Sequence, residues 1–309
     1  MTSENPLTAS SADGSIYDLG YRHYDGVRRG RAYAAWSLYV ESLRSIWGFG
    51  RPVTAKAAPF IILALYSFLA LLQVAFSSAF SQMMARGEKV ELFTYSTYFW
   101  NFSIFLVLFC IAQAPELVCR DQRNHVLPLY FTRSLHRSDY ALTKLSALAT
   151  ALFIVLMIPM IALFVGDVLM RSDAIAAIKD EIPKFLPSIP ANLLIAASWS
   201  AISLGLSAFS PRRAYSAIGL GAYFLVVEVV AAIVYEVGNR AGWTWSDLTI
   251  LLAPGKVLMG ASWWFFGKTL TVSDGFPASL DAGAYVLAAV ASVAIFAATL
   301  LWRYRRLAA

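Results

Sequence analysis

The sequence predicts an all-α polytopic membrane protein with six transmembrane helices, an N-terminal amphipathic interfacial helix, and short membrane-dipping helices before the last span. Three observations carry that prediction. Of 309 residues, 59% are hydrophobic and 14% charged, with a mean hydropathy of +0.60, whereas soluble chains average about 45–50% apolar and roughly 25% charged residues. Six segments are apolar over lengths that cross a ~30 Å hydrocarbon layer at ~1.5 Å per helical residue. The basic residues are shared unevenly among the segments between them.

Residues 1–30 read as a cytoplasmic N-terminal tail, residues 31–56 as the amphipathic helix and its linker, and residues 57–309 as the transmembrane domain. The opening MTSENPLTASSADGS is polar and lacks an apolar core leading to a small-residue cleavage site, so no secretory signal is expected and the first span should drive insertion. From Arg31 to Trp47 the chain reads RAYAAWSLYVESLRSIW, in which Trp36, Val40, Leu43 and Trp47 recur at helical spacing. Such a helix suits the headgroup plane; a cytosolic helix packed on the protein itself is the alternative.

The six spans are predicted at Ala58–Ser81, Tyr95–Ala114, Leu145–Val165, Ala191–Phe209, Ala214–Tyr235 and Ala282–Trp302. Between the second and third lies a basic connector, residues 115–144, with a small apolar cluster of Val126, Leu127, Leu129, Tyr130 and Phe131 around Pro128. With the amino terminus taken as cytoplasmic, seventeen of the 25 Lys and Arg fall on the inside and eight on the outside. That asymmetry predicts a multi-pass cell-membrane protein with both termini cytoplasmic. The net charge of +6 then reflects topology and contact with anionic lipid headgroups, and no nucleic-acid partner is needed.

Residues 236–281 form the longest external segment. The run LTILLAPGKVLMGASWWFFG is broken at Pro254, Gly255 and Lys256, leaving halves too short to span alone. The expectation is one or two helices dipping into, or lying on, the outer leaflet, with Trp263 and Trp264 as interface anchors. A seventh span is the alternative, at the expense of the charge asymmetry.

Within the spans Glu228 stands out, because an acid in the hydrocarbon layer costs several kcal/mol by insertion scales (~3 kcal/mol) and usually faces protein or water. Two readings remain open: an outward vestibule binding a cationic part of a substrate, or a protonated Glu hydrogen-bonded between helices. Asn101 and Gln113, with Gln73, are further intramembrane polar groups that serve either as pathway contacts or as helix-to-helix hydrogen bonds. Ala196, Ser200, Ser203 and Ser207 form a small-residue stripe that lets helices approach closely.

Catalytic and cofactor chemistry has little support. His23, His125 and His136 lack zinc-site spacing, and Cys110 and Cys119 suggest neither a disulfide framework nor a metal knuckle. A phosphate-cradling loop needs G-x-x-x-x-G-K-[ST]; the nearest string, Gly267-Lys268-Thr269, has Ser262 where the first glycine belongs.

The opening YDLGYRHYDGVRRGR, the connector RDQRNHVLPLYFTRSLHRSDYALTK, the turn AFSPRRAYSAIG and the run LLAPGKVLMGASWWFFG together resemble ABC-2 type permeases, the membrane subunits of ATP-binding cassette exporters, particularly actinobacterial ones. The resemblance covers nearly the whole chain through loose apolar and basic patterns. It implies a six-helix half-transporter that pairs with a second permease subunit, identical or paralogous, and docks cytosolic ATPase subunits that hold the ATP and Mg. It places a coupling helix at roughly Asn124 to Thr132, with Arg123, Leu127, Tyr130, Phe131 and Arg133 as docking residues. Leu127, Tyr130 and Phe131 would form an exposed apolar plug, and Arg120, Arg123, Arg133 and Arg137 would pair with acidic rims; Pro128 departs from the acidic residue often found near that point. A basic loop held on lipid headgroups is the plainer alternative.

The implied function is export of an amphipathic or lipophilic substrate by alternating access, with no catalytic residue in this chain. Asn101, Gln113 and Glu228 are its expected pathway residues. The alternatives are a membrane-embedded enzyme acting on lipid-linked substrates, drawn from Asp121, His125, His136 and Asp139, or an ion-coupled secondary transporter, for which the sequence shows no repeat and one span proline, Pro159.

Overall fold

Residues 26, 30–83, 94–132, 135–171, 173–243, 245–271, 275–277 and 279–306 are described by a computed structural model. Among them no strand occurs, and six helices are long and apolar enough to cross a membrane. Most of the expected N-terminal tail lies outside the described residues, as does Arg133.

Helix α1, Arg31–Ile46, buries Leu38, Ser42 and Ile46. Their spacing of four makes one stripe, and that stripe packs on α6, Arg137–Leu169. This corrects one of the two expected interface tryptophans: Trp47 is buried, while Trp36, 62% exposed, keeps the outward position. The helix is held by the protein rather than by lipid alone. The Tyr39 hydroxyl donates to Thr150 Oγ1 at 2.9 Å, and Arg31 Nε reaches Asp139 at 2.6 Å.

The first span is α2, Val53–Met83, whose Ile61, Leu65, Phe68, Leu71 and Phe76 stay exposed, as a lipid-facing helix requires. The second is not one helix. The chain forms α3, Tyr95–Asn101, breaks at Phe102 (φ −120°, ψ 19°), and continues as α4, Ser103–Arg123. A capping box between Thr94 and Thr97 starts α3, and buried Tyr98 anchors it by donating from its hydroxyl to the Tyr66 carbonyl at 2.5 Å. Helix α4 runs past the expected end at Ala114 because Leu117, Val118 and Cys119 are buried in the bundle. At its other end the connector also becomes helical early, since Asp139 accepts the His136 N–H at 3.1 Å and starts α6. Between them lies α5, only Leu127–Phe131, with Pro128 in its first turn, where a missing N–H is harmless.

Helix α7, Ala174–Phe185, falls between the third and fourth predicted spans, where no helix was expected. Asp173 caps it by accepting the N–H groups of Ile175 and Ala176, and Arg171 ties it back to Glu181 at 2.6 Å. Its exposed Ile175, Ile178 and Ile182 recur at helical spacing, the signal from which it was legible. Helix α8, Ser188–Ser207, is the most enclosed span, packed on α6, α4 and the last helix, α12, Ala282–Arg306. Ala196, Ser200, Ser203 and Ser207 are all fully buried there.

The fifth span, α9, Arg213–Ala241, extends beyond Tyr235. After it the chain forms a short α10, Ser246–Thr249, a 3₁₀ turn at Ile250–Leu252, and α11, Pro254–Phe265, bent from the preceding pair by 92°. Helix α10 begins against Gly238 near the end of α9. Gly255 meets Glu228 in the middle of α9, and Trp263 returns to donate its indole N–H to the Ser96 carbonyl at 3.1 Å. The segment enters and leaves at one end of the bundle, which is a re-entrant loop and not a seventh span. Trp263 is 1% exposed and so is a packing residue, not an interface anchor; Trp264, 51% exposed, keeps the outward position.

Candidate functional site

One end of the bundle gathers the basic segments. There Lys144 Nζ lies 3.0 Å from Asp121 Oδ2, and the Tyr140 hydroxyl donates to the same oxygen at 2.7 Å. The Lys144 side chain is only 9% exposed, so the lysine counted from sequence as a connector charge is a buried partner. Gln122 Nε2 donates to the Ala208 carbonyl at 3.1 Å and to the Tyr304 hydroxyl at 3.3 Å, and Tyr140 packs on Tyr304 with ring centroids 5.0 Å apart. Four spans, α4, α6, α8 and α12, are thereby knit together at this end.

A second clamp centres on Glu116. Its carboxylate takes Arg51 at 2.5 Å, from the segment linking α1 to α2, and Arg213 at 2.8 Å, from the first turn of α9. One acid thus joins the amphipathic helix region, α4 and α9. Neither cluster was visible in the sequence, because Asp121 and Lys144, or Arg51, Glu116 and Arg213, share no local spacing; only the fold brings them together.

The expected docking residues separate by environment. Arg123 is exposed, but Leu127 is 8% exposed, and Tyr130 and Phe131 pack on Tyr140 with ring centroids 5.7 and 6.0 Å away. This corrects the expected apolar plug: α5 turns three of its apolar side chains inward, and Leu129, 67% exposed, is the one presented. Burial pushes the Tyr130 phenol above its ordinary value, with the nearby Asp121 carboxylate adding to the effect.

The expected pathway residues are not brought together. Asn101 is exposed at the end of α3, Gln113 is 5% exposed within α4, and Glu228 lies on α9 with its carboxylate on the start of α11. Glu228 is 13 residues from Ala241, or ~20 Å along the helix, twice the depth the shorter predicted span implied. Glu228 Oε2 accepts the Gly255 N–H at 3.0 Å. A Cβ at Gly255 would lie 2.8 Å from Trp100 Cζ3 and 3.0 and 3.1 Å from the two carboxylate oxygens. Beside it, Lys256 Nζ sits 5.2 Å from the Trp100 ring centroid and 5.1 Å from that of Phe276.

At the end opposite the basic clusters, a cavity of about 540 Å³ lies between α2, α3, α6, α7 and the residues following α11. Asp167, Lys184 and Lys268 supply its charges and Gln73, Ser77 and Ser96 its polar lining. None of the three expected pathway residues lines it. Among the described residues no group of three or more His, Cys, Asp or Glu could hold a metal; Asp121, His125, His136 and Asp139 are drawn instead into ion pairs or left apart.

Fold and site together define an all-α multi-pass membrane protein with six helices long and apolar enough to cross a membrane and an excess of basic groups at one end of the bundle. No protein-family model matches the chain, and no curated protein matches it.

Proposed function

We propose that the chain is the membrane-spanning permease subunit of an ATP-driven transporter of the ABC-2 type, which docks separate cytosolic ATPase subunits and pairs with a second permease. The basic end is then cytoplasmic, in line with the positive-inside rule. The observation that carries the reading is α5, a five-residue helix between two long spans at the basic end. Its Tyr130 and Phe131 are wedged on Tyr140, which is tied through Asp121 to α4 and through Tyr304 to α12. A push on Leu129 would therefore move α4, α6 and α12 as one unit, as a coupling element must. Helix α1, fastened by Arg31 to Asp139, would move with α6.

The test is co-purification in lipid nanodiscs with candidate cytosolic ATP-binding cassette ATPases from the same organism, reading ATP hydrolysis against each component alone. A stable complex whose turnover responds to amphipathic cargo supports the permease. Metal-dependent product formation, or ion-driven transport by the chain alone, would move the enzyme or carrier reading ahead.

A further inference from the structure

We propose that the cleft between the last turn of α4 and the start of α9 holds the phosphate of an anionic phospholipid. The cleft, of about 880 Å³, is lined by Gln122, Arg123, His125, Arg212 and Arg213 together with the small residues Ala214 and Ala217. A neighbouring cleft of about 360 Å³ shares Arg123 and Arg213 and adds Arg120. Three arginines line each cleft, and the shared Arg123 and Arg213 join the two into one basic face built from α4 and the start of α9. The carboxylate in these linings is Glu116, and it is occupied by Arg51 and Arg213. Among the described residues, no carboxylate lies within ion-pair distance of Arg120, Arg123 or Arg212; Arg212 instead lies over the Tyr215 ring, 5.5 Å from its centroid.

Arg123 and Arg212 in the larger cleft and Arg120 in the adjoining one, without an acid among the described residues, match a phosphate, which accepts paired N–H donors from such planar cations. What favours a lipid is where the cleft leads. Next to it Phe209, Tyr215 and Ile218 are 48, 61 and 68% exposed, on the flank where α9 enters its apolar belt. A phospholipid seated with its phosphate among the guanidiniums can lay its acyl chains along Ile218 and Leu225, itself 66% exposed. An acidic protein segment would satisfy the arginines and leave that apolar flank unused.

The experiment uses the full chain in nanodiscs of phosphatidylcholine doped with spin-labelled phosphatidylglycerol or spin-labelled phosphatidylcholine, read as relative association. The wild type should prefer phosphatidylglycerol several-fold. Arg120→Gln, Arg123→Gln and Arg212→Gln combined should bring that preference close to none, since each basic group near the surface contributes a factor of up to about five. Arg305→Gln with Arg306→Gln, at the same end but outside the cleft, should leave most of it. Equal association of the two lipids with the wild type, or an unchanged preference in the triple variant, overturns the proposal. Displacement of the lipid by inorganic phosphate at millimolar concentration would make the cleft a site for a soluble anion instead. Loss of ATPase capture with lipid preference intact would make it a protein-docking surface. Matched unfolding temperatures of wild type and variants establish that exposed-side-chain changes have not altered the fold.

Discussion

The carboxylate of Glu228, midway along α9, accepts the backbone N–H of Gly255 at 3.0 Å and so caps the helix that forms the returning limb of the re-entrant loop. The first N–H groups of a helix have no partner within it and carry partial positive charge. An acid placed on them in an apolar layer satisfies both groups at once, so the membrane-embedded Glu has a structural occupation. Glu228→Gln, which keeps an acceptor oxygen, should leave the thermal unfolding temperature in detergent close to wild type. Glu228→Leu should lose the cap and about 1–2 kcal/mol of stability. Transport and substrate preference unchanged in Glu228→Gln would remove the residue from the pathway altogether.

Gly255→Ala tests the same contact from the other side. A Cβ there would meet Trp100 and both Glu228 oxygens. The expected result is a destabilisation of about 1–3 kcal/mol, the range for overpacking a filled interior. A wild-type unfolding midpoint would show that Trp100 and Glu228 can move aside, and the loop would not be clamped at this point.

Helix α11 approaches α12 tightly at Gly260, where a Cβ would lie 2.6 Å from the Tyr285 ring. Tyr285 is fully buried and has little room to yield. Gly260→Ala should destabilise by about 1–3 kcal/mol, whereas Gly219→Ala, with nothing within 4 Å, should be tolerated. Unfolding curves of the two variants recorded side by side decide the matter, and equal midpoints would contradict the packing.

Glu116→Gln would leave Arg51 and Arg213 without their shared carboxylate. The expected loss is about 1.5–3 kcal/mol, typical of charge-assisted hydrogen bonds at a partly buried site. Because Arg51 belongs to the link between α1 and α2, limited trypsin digestion should show faster cleavage in the region of Arg44 and Arg51. An unaltered digestion pattern would mean that α1 is held by its packing on α6 alone.

For coupling, Leu129→Asp is the informative change. Leu129 is exposed and its replacement touches no packed side chain, while Tyr130 and Phe131 rest on Tyr140 and their replacement would loosen α5 itself. The variant should unfold as the wild type does yet lose capture of the ATPase and its stimulated hydrolysis. Capture at wild-type strength would place the docking element elsewhere.

By itself the sequence determined the solvent in which this chain folds and how many of its helices are long and apolar enough to cross it. Those depend on length and composition, which a ~30 Å apolar layer selects directly. The re-entrant break was legible for the same reason, since Pro254 and Gly255 interrupt an apolar run locally and α11 starts there. What only the tertiary structure decided is which side of each helix is spoken for. Trp36 and Trp263 look alike in sequence as interface aromatics, but one is exposed and the other is buried with its N–H on Ser96. Inside a membrane protein both lipid-facing and core-facing sides are apolar, so hydrophobic periodicity does not separate them. Likewise Asp121 with Lys144, and Glu116 with Arg51 and Arg213, are pairings across the bundle that no spacing along the chain encodes. Burial required those charges to be matched, and packing alone chose the partners.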